Sequence, residues 1–271
     1  TDDDGDGVDD TSDSCEEGSA DWTSNSTTDY DSDGCVDGNI VLLTHNIETG
    51  TTATTSAPLS DGGMAFAGVL VEDTLTLGSH TVTAGSDCDL FVAKMNQSGG
   101  WEWLVSFSPS SCTQWPLVQS VSTTSDGGVY VVAKFDNTIS VNGTTHTGTP
   151  SLVDGLELLV VKLRSDGQVH WSADIGSLGE NSMLSSSVSP NDHFSVLFTH
   201  QSSDSWMYIK SSTGSYTQFF AEEPPSGQDE YYATFSSTGA ITNYQLTNAV
   251  STSQVVADIN LHTYVVRQYY S

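Results

Sequence analysis

Basic residues are almost missing from this chain: six Lys plus Arg stand against 35 Asp plus Glu, a net charge of −29 over 271 residues. Nucleic-acid binders need a basic face, so that class is excluded. The same sign opposes docking on anionic lipid. Long apolar runs are missing too; none approaches the roughly eighteen residues of a membrane span. No window carries the 3.6-residue stripe of an amphipathic helix. Catalytic signatures are equally scarce. His45, His80, His146, His170, His193, His200 and His262 are scattered, with no H-x-x-x-H or H-E-x-x-H pair, and each reads as a surface or packed histidine. There is no G-x-S-x-G elbow, phosphate loop or dinucleotide fingerprint. Paired acids for glycoside hydrolysis occur everywhere in so acidic a chain, and only geometry selects among them. The expectation is a protein that is not an enzyme, with a glycan-active hydrolase as a remote alternative.

What the chain does have is an acidic head. Residues 1–37 hold 14 of the 35 acids and no base, which leaves −29 + 14 = −15 on the remainder. The acids are spaced, not merely abundant. Asp2-x-Asp4-x-Asp6-Gly7-Val8-x-Asp10-x-x-Asp13 sets Asp2, Asp4 and Asp6 at positions 1, 3 and 5 of a twelve-residue calcium loop. Gly7 takes the sharp turn, Val8 offers its carbonyl, and Asp10 and Asp13 fall at positions 9 and 12. The order recurs as Asp29-x-Asp31-x-Asp33-Gly34-Cys35-Val36-Asp37, with the Cys35 carbonyl in the place of Val8. There position 12 is Ile40, which has no oxygen to give, so the second site is incomplete or borrows a ligand. Alternate carboxylates suit a hard cation that takes six to eight oxygens. The competing interpretation is a solvated acidic tail.

The first copy, with Cys15 two residues beyond Asp13, resembles the thrombospondin type 3 repeat. The resemblance covers Asp2 to Asp37, about one and a half repeats, and the absence of flanking helical patterns favours it over an EF-hand. It implies calcium wrapped without helices and a disulfide between neighbouring repeats. Four cysteines allow three connectivities. The sequential one, Cys15 with Cys35 and Cys88 with Cys112, closes short loops, and for the first pair it is what the resemblance implies. Zinc competes for the thiols, but neither pair has C-x-x-C spacing and soft thiolates do not suit calcium loops. Two disulfides place the chain in an oxidising compartment, secreted or at the cell surface. The sequons Asn25-Ser26-Thr27, Asn96-Gln97-Ser98 and Asn142-Gly143-Thr144 point the same way where the source glycosylates, and Thr51 to Ser56 is an alternative site for O-linked sugar. The chain begins at Thr1, and the expectation is a processed product whose signal peptide has been removed.

Beyond residue 38 the period is two, and strands of five to eight residues alternate with Gly, Asn, Asp and Ser. An internal repeat organises them. Asp89-Leu-Phe-Val-Ala-Lys94, Gly99 and Trp103 recur as Glu157-Leu-Leu-Val-Val-Lys162, Gly167 and Trp171. Weaker copies run from Trp206 through Lys210 to Gly214 and from Tyr231 to Gly239, with a worn one at Ile40–Gly50. A companion element, Ser60-Asp-Gly-Gly63, recurs at Ser125-Asp-Gly-Gly128 and, degenerate, at Ser189-Pro-Asn-Asp192. Asp-Gly-Gly supplies a positive-φ turn before a strand. Together the elements make four strands in roughly fifty to seventy residues, the size of a propeller blade. The series resembles bacterial β-propeller repeats of the form D-x-F-V-x-K…G…W…D-G-G-x-Y-V. That implies an all-β, propeller-like domain of about five short blades over residues 39–271, after a metal-binding segment over residues 1–38. An irregular or open β assembly is the alternative.

Lys94, Lys162 and Lys210 make up half of the bases; a shared anion site is one reading, and strand lysines with buried stems and acid-paired heads are the preferred one. Trp101, Trp103, Trp115 and Trp171 fit packing between blades better than a sugar platform. Two functions of different class remain. One is a secreted, calcium-stabilised structural subunit of a fibre, stalk or layer, whose partners are copies of itself or other cell-surface proteins and whose C-terminal Tyr264–Tyr270 run is a strand able to complete a neighbour's sheet. The other is a propeller adhesin gripping a glycan or protein, with the metal segment as a stiff stalk.

Overall fold

A computed structural model describes residues 2–5, 7–13, 23–24, 51–70, 74–85, 88–110, 117–147, 157–177, 180–201, 206–220, 229–246, 253–257 and 263–267. The chain divides into two compact units, residues 1–45 with 97–99, and residues 46–96 with 100–271. Every regular element among the described residues is a strand of an antiparallel sheet.

The larger unit is built by repetition. Its first copy comprises β1 (Thr51–Pro58) and β2 (Met64–Leu70), a small hairpin β3 (Thr74–Leu77) and β4 (His80–Thr83), then β5 (Asp89–Met95) and β6 (Trp101–Phe107). The second has β7 (Leu117–Thr123), β8 (Val129–Phe135), the hairpin β9 (Thr138–Val141) and β10 (Thr144–Thr147), β11 (Glu157–Leu163) and β12 (Val169–Ser177). The third has β13 (Glu180–Val188), β14 (Phe194–Gln201), the hairpin β15 (Trp206–Ser211) and β16 (Tyr216–Phe220), β17 (Asp229–Phe235) and β18 (Ile241–Leu246). A further pair, β19 (Ser253–Ala257) and β20 (Thr263–Arg267), follows. In each copy the four long strands form a meander, ordered β1-β2-β5-β6, β7-β8-β11-β12 and β13-β14-β17-β18, with the hairpin inserted between the second and third.

This topology corrects the repeat assignment read from sequence. The segment Trp206–Lys210 is not a copy of Asp89–Lys94 but the inserted hairpin of the third copy, and it pairs with β12 of the second, making that sheet six-stranded. The true counterpart of Lys94 and Lys162 is Thr234, which faces Asn243 where they face Trp103 and Trp171. With Gly214 assigned to the hairpin, the repeat glycines Gly99, Gly167 and Gly239 lie at nearly even intervals, 68 and 72 residues apart. The described residues hold two four-stranded sheets, one six-stranded sheet and three two-stranded pairs, β3–β4, β9–β10 and β19–β20, with no closure into a barrel or ring among them. The worn copy at residues 40–50 lies outside the described residues.

Even the irregularities repeat. Each copy has a bulge in its first strand, between Ala53 and Thr55, Val118 and Ser120, and Met183 and Ser185. Each has another where the third strand meets the fourth. Bulges bend a strand and increase its twist, so the sheets share one curvature. The turns repeat as well: Leu59, Thr124 and Ser189 each accept a hydrogen bond from the amide three residues on, Gly62, Gly127 and Asp192, all at positive φ. These are the turns the Asp-Gly-Gly pattern predicts, with Asp192 taking the glycine's place in the third copy.

The sheets bury their faces against one another. Ala65, Ala67, Val69 and Val92 of the first copy share a core with Val129, Val131, Leu159 and Val161 of the second. The second copy's other face, through Tyr130, Val132, Leu158 and Val160, packs on Phe194, Val196, Phe198 and Ala233 of the third. Its strands β8 and β11 are therefore buried at every residue, which is why they read as continuous apolar runs and not as alternation. The first strands β1, β7, β13 and β19 pack in that order, and Ser120 and Ser186 hydroxyls meet at 2.8 Å between two of them.

One joint recurs between sheets. Trp103 lies on the Gly167 turn of the next copy and donates its indole N–H to the Ser165 carbonyl at 2.9 Å. Trp171 lies on the Gly239 turn and donates to Ser237 at 3.0 Å. A Cβ on Gly239 would stand 2.7 Å from the Trp171 ring, whereas one on Gly143, a hairpin-tip glycine of similar φ, would meet nothing within 4 Å. Gly143→Ala is expected to cost about 1 kcal/mol, from the left-handed backbone alone. Gly239→Ala is expected to cost on the order of 3 kcal/mol, because overpacking is added. Denaturant unfolding of the two variants checks the difference.

Candidate metal centre

The head folds as a curl held by its own carboxylates. Asp2 accepts the amides of Gly5 at 2.9 Å, through Oδ1, and of Gly7 at 3.2 Å, through Oδ2. Both glycines sit at positive φ, 77° and 98°, and so let the chain double back over three residues. Asp10 closes the curl by accepting the Asp3 amide at 3.0 Å through Oδ1. Asp2 and Asp3 are both exposed, Asp4 and Asp10 are half-buried and Asp13 is buried, so exposure does not separate the pattern's residues from Asp3. Asp9, also outside the pattern, turns to Thr11, whose hydroxyl and amide hold its carboxyl below the ordinary value of 3.8.

The residues fit a hard cation in kind: the donors are oxygen only, and one carboxylate of the curl, Asp13, is buried. Asp6, the middle ligand of the pattern, lies outside the described residues, as do Asp29, Asp31, Asp33, Cys35 and Asp37. Among the described residues no three acids or imidazoles converge on one point. Of the proposed ligands the structure therefore places Asp2, Asp4, Val8, Asp10 and Asp13 on one short curl without assembling them into a cage.

The remaining predicted residues are distributed through the body. Cys88 is buried and disulfide-bonded; Cys15, Cys35 and Cys112 lie outside the described residues, its partner among them. Asn142 is exposed at the tip of the β9–β10 hairpin, where Asn142 and Gly143 at φ 48° and 77° form the turn that Asn-Gly favours. Asn96 is half-buried and uses its carboxamide oxygen to hold the Gly100 amide at 2.9 Å. Asn25 lies outside the described residues.

The expectation of buried, acid-paired lysines and tryptophans between blades matches Lys94, Trp103 and Trp171, whereas Trp101 packs within its own copy and Lys210 is exposed. Lys94 is 4% exposed. Its ammonium lies 3.0 Å from Glu102 and 3.4 Å from Asp61; burial alone would lower its pKa, and the two carboxylates outweigh that and raise it. Lys162 is buried over the Tyr130 ring, 5.2 Å from its centroid. Lys210, in the inserted hairpin, is exposed. Trp103 and Trp171 are buried in the joints and Trp101 is half-buried against Phe66; Trp115 is outside the described residues.

Sequence reasoning missed one cluster. His146, on β10, has Nδ1 2.5 Å from Asp174 Oδ1 and Nε2 2.7 Å from Ser172 Oγ. The order is that of a nucleophilic relay. However, each of the three residues is only 1% exposed. The Ser172 main chain is also tied on both sides to Ser212, its amide to the hydroxyl at 3.0 Å and its carbonyl to the amide at 2.8 Å. No substrate carbonyl reaches Ser172 in this arrangement. Beside it the Tyr208 hydroxyl stands 2.8 Å from Glu157 Oε2 and 3.2 Å from the Thr147 carbonyl. Burial and the neighbouring carboxylates push that phenol far above its usual range, so it stays a proton donor. No H-x-x-x-H spacing flags His146; the only sequence signal was that Ser172 and Asp174 stand where the first copy has Leu104 and Ser106.

No protein-family model matches the chain, and no curated protein matches its sequence.

Two measurements follow. Asp10→Ala should loosen the head, read as faster amide exchange at Asp3 and its neighbours, whereas Asp3→Ala should change it little. In the body, Asp61 is held below 3.8 by the Gly63 amide and Lys94, and Asp126 by the Thr124 hydroxyl, the Gly128 amide and Lys162. Depressed carboxyls stabilise above the unfolded value and lose that contribution as pH falls through the folded one. The unfolding midpoint should therefore drop below pH 3.8, and an Asp61→Asn, Asp126→Asn variant should show a shallower acid slope in thermal scans.

Proposed function

We propose that this chain is a calcium-stabilised structural subunit of an extracellular or cell-surface assembly, with a metal-binding head on a β-propeller-like body. The observation that carries the reading is the curl itself. Asp2 folded onto Gly5 and Gly7, and Asp10 onto Asp3, gather a run of carboxylates that repel one another at neutral pH. Calcium would be held by Asp2, Asp4, Asp6, the Val8 carbonyl, Asp10 and Asp13, and in the second copy by Asp29, Asp31, Asp33, the Cys35 carbonyl and Asp37. Its contribution is charge neutralisation and oxygen coordination, which a polar segment this short has no apolar core to replace.

For the body, the support is the series of first strands and the repeated tryptophan joint, each copy turned against the next by the same contact. In this reading, of about five blades, β19–β20 opens the fourth; the worn copy at residues 40–50 lies outside the described residues. The buried relay-like cluster gives no access for turnover, which favours a scaffold over a hydrolase. The binding-module reading draws on one feature: Tyr216 is 60% exposed on the edge strand β16, its ring stacked with Tyr208 at 6.5 Å, a surface on which a sugar ring can lie.

The deciding experiment is electron microscopy of native material with and without excess EGTA, alongside calcium titration calorimetry of the isolated chain. Regular filaments or layers that soften or come apart on chelation are expected. Assemblies indifferent to EGTA, with no heat of calcium binding, would remove the metal from the account. A discrete monomer retained on a glycan array would favour the adhesin instead.

A further inference from the structure

The first two copies form an internal comparison. Each folds a small hairpin back over its own sheet, β3–β4 in one and β9–β10 in the other. Val82 is paired with Leu75, and His146 with Ile139, so His146 occupies the place of Val82. On the outer strand the facing pairs Lys94–Trp103 and Lys162–Trp171 make Ser172 the counterpart of Leu104, and Asp174 that of Ser106. Under β3–β4 the contact is hydrocarbon: Leu75, Leu77 and Leu104 are buried with Val82 against them. Under β9–β10 the same positions carry His146, Ser172 and Asp174, hydrogen-bonded in sequence.

The fold therefore accepts a mostly apolar contact here, with Ser106 the one polar counterpart, and a buried polar cluster generally gives no more net stability than well-packed hydrocarbon. What it does give is discrimination, because an unmatched buried polar group is costly. With β3–β4 seated on the second sheet, Val82 would face Asp174 and Ser172; Ser172 would lose its imidazole partner, and Asp174 would keep only the Tyr208 hydroxyl. With β9–β10 seated on the first sheet, the imidazole would be buried against Leu104. Tandem copies are prone to such exchanges, within one chain and between chains. We infer that His146, Ser172 and Asp174 form a polar key that assigns the β9–β10 hairpin to the second sheet and excludes the β3–β4 hairpin of the same or another chain. The groups facing the key agree with this role. Tyr208 from β15 reaches both Glu157 and the hairpin's Thr147 carbonyl, and Lys210, paired with Asp174 across the strands, is exposed.

The test writes the first copy's residues into the second in the full-length chain. His146→Val alone removes the shared partner of Ser172 and Asp174 and should lower the thermal midpoint by about 10 °C. The triple variant His146→Val, Ser172→Leu, Asp174→Ser restores the first copy's matched contact and should recover most of that loss. After refolding from denaturant at high protein concentration, the triple variant should give a several-fold larger fraction of exchanged dimer than the wild type, measured by size exclusion with light scattering. A triple variant that stays as unstable as the single one overturns the inference. So does one that returns to monomer as fully as the wild type.

Discussion

A four-stranded sheet that is apolar on both faces has no stable existence alone, and this constraint organises the body of the molecule. The second copy's central strands are buried along their whole length, so the sheet requires a neighbour on each side. The stack satisfies that need by repeating one interface. Each indole is pressed on the following copy's glycine turn with its N–H anchored to a carbonyl there. Burial of a tryptophan supplies area, the hydrogen bond supplies direction, and the glycine supplies room. Aromatic stacking of Tyr130 on Phe194, centroids 4.6 Å apart, adds to the second interface and makes it the richer of the two in rings.

Charge is arranged around that core by proximity. Three of the six bases, Lys94, Lys134 and Lys162, are buried, Lys94 between two carboxylates and Lys162 over an aromatic face. In the head, backbone amides take the place that cations hold elsewhere: the N–H groups of Asp3, Gly5, Gly7 and Thr11 each point at a carboxylate oxygen.

The sequence made the larger regularities legible because they rest on residues with few substitutes. Asp-Gly-Gly marks a positive-φ turn, and a lysine, a glycine and a tryptophan at fixed spacing mark the third and fourth strands. Both signals held for Asp89–Trp103 and Glu157–Trp171. They failed at Trp206–Lys210, whose apolar strand ending in lysine imitates the repeat while its hydrogen bonds belong to the preceding sheet. Local pattern does not encode which edge a hairpin will pair with. The bulges at Thr54, Gln119 and Leu184 were silent for a similar reason, since an extra residue in a strand needs no special side chain. His146 was hidden because its partners come from a strand 26 and 28 residues away. In the head, the glycine and aspartate spacing anticipated the curl, but not that Asp2 would turn its oxygens to amides.

The hairpin β15–β16 is encoded in the third copy yet completes the sheet of the second. Copy number in this array is therefore not freely adjustable. Deleting the third copy would strip two strands from the second and uncover β12 from Ala173 to Ser177, whereas no strand of the first copy completes the second copy's sheet and the two are joined chiefly through side chains. A break at the first boundary would uncover a packed face; a break at the second would also split a sheet, so the last two copies should be inherited as one block.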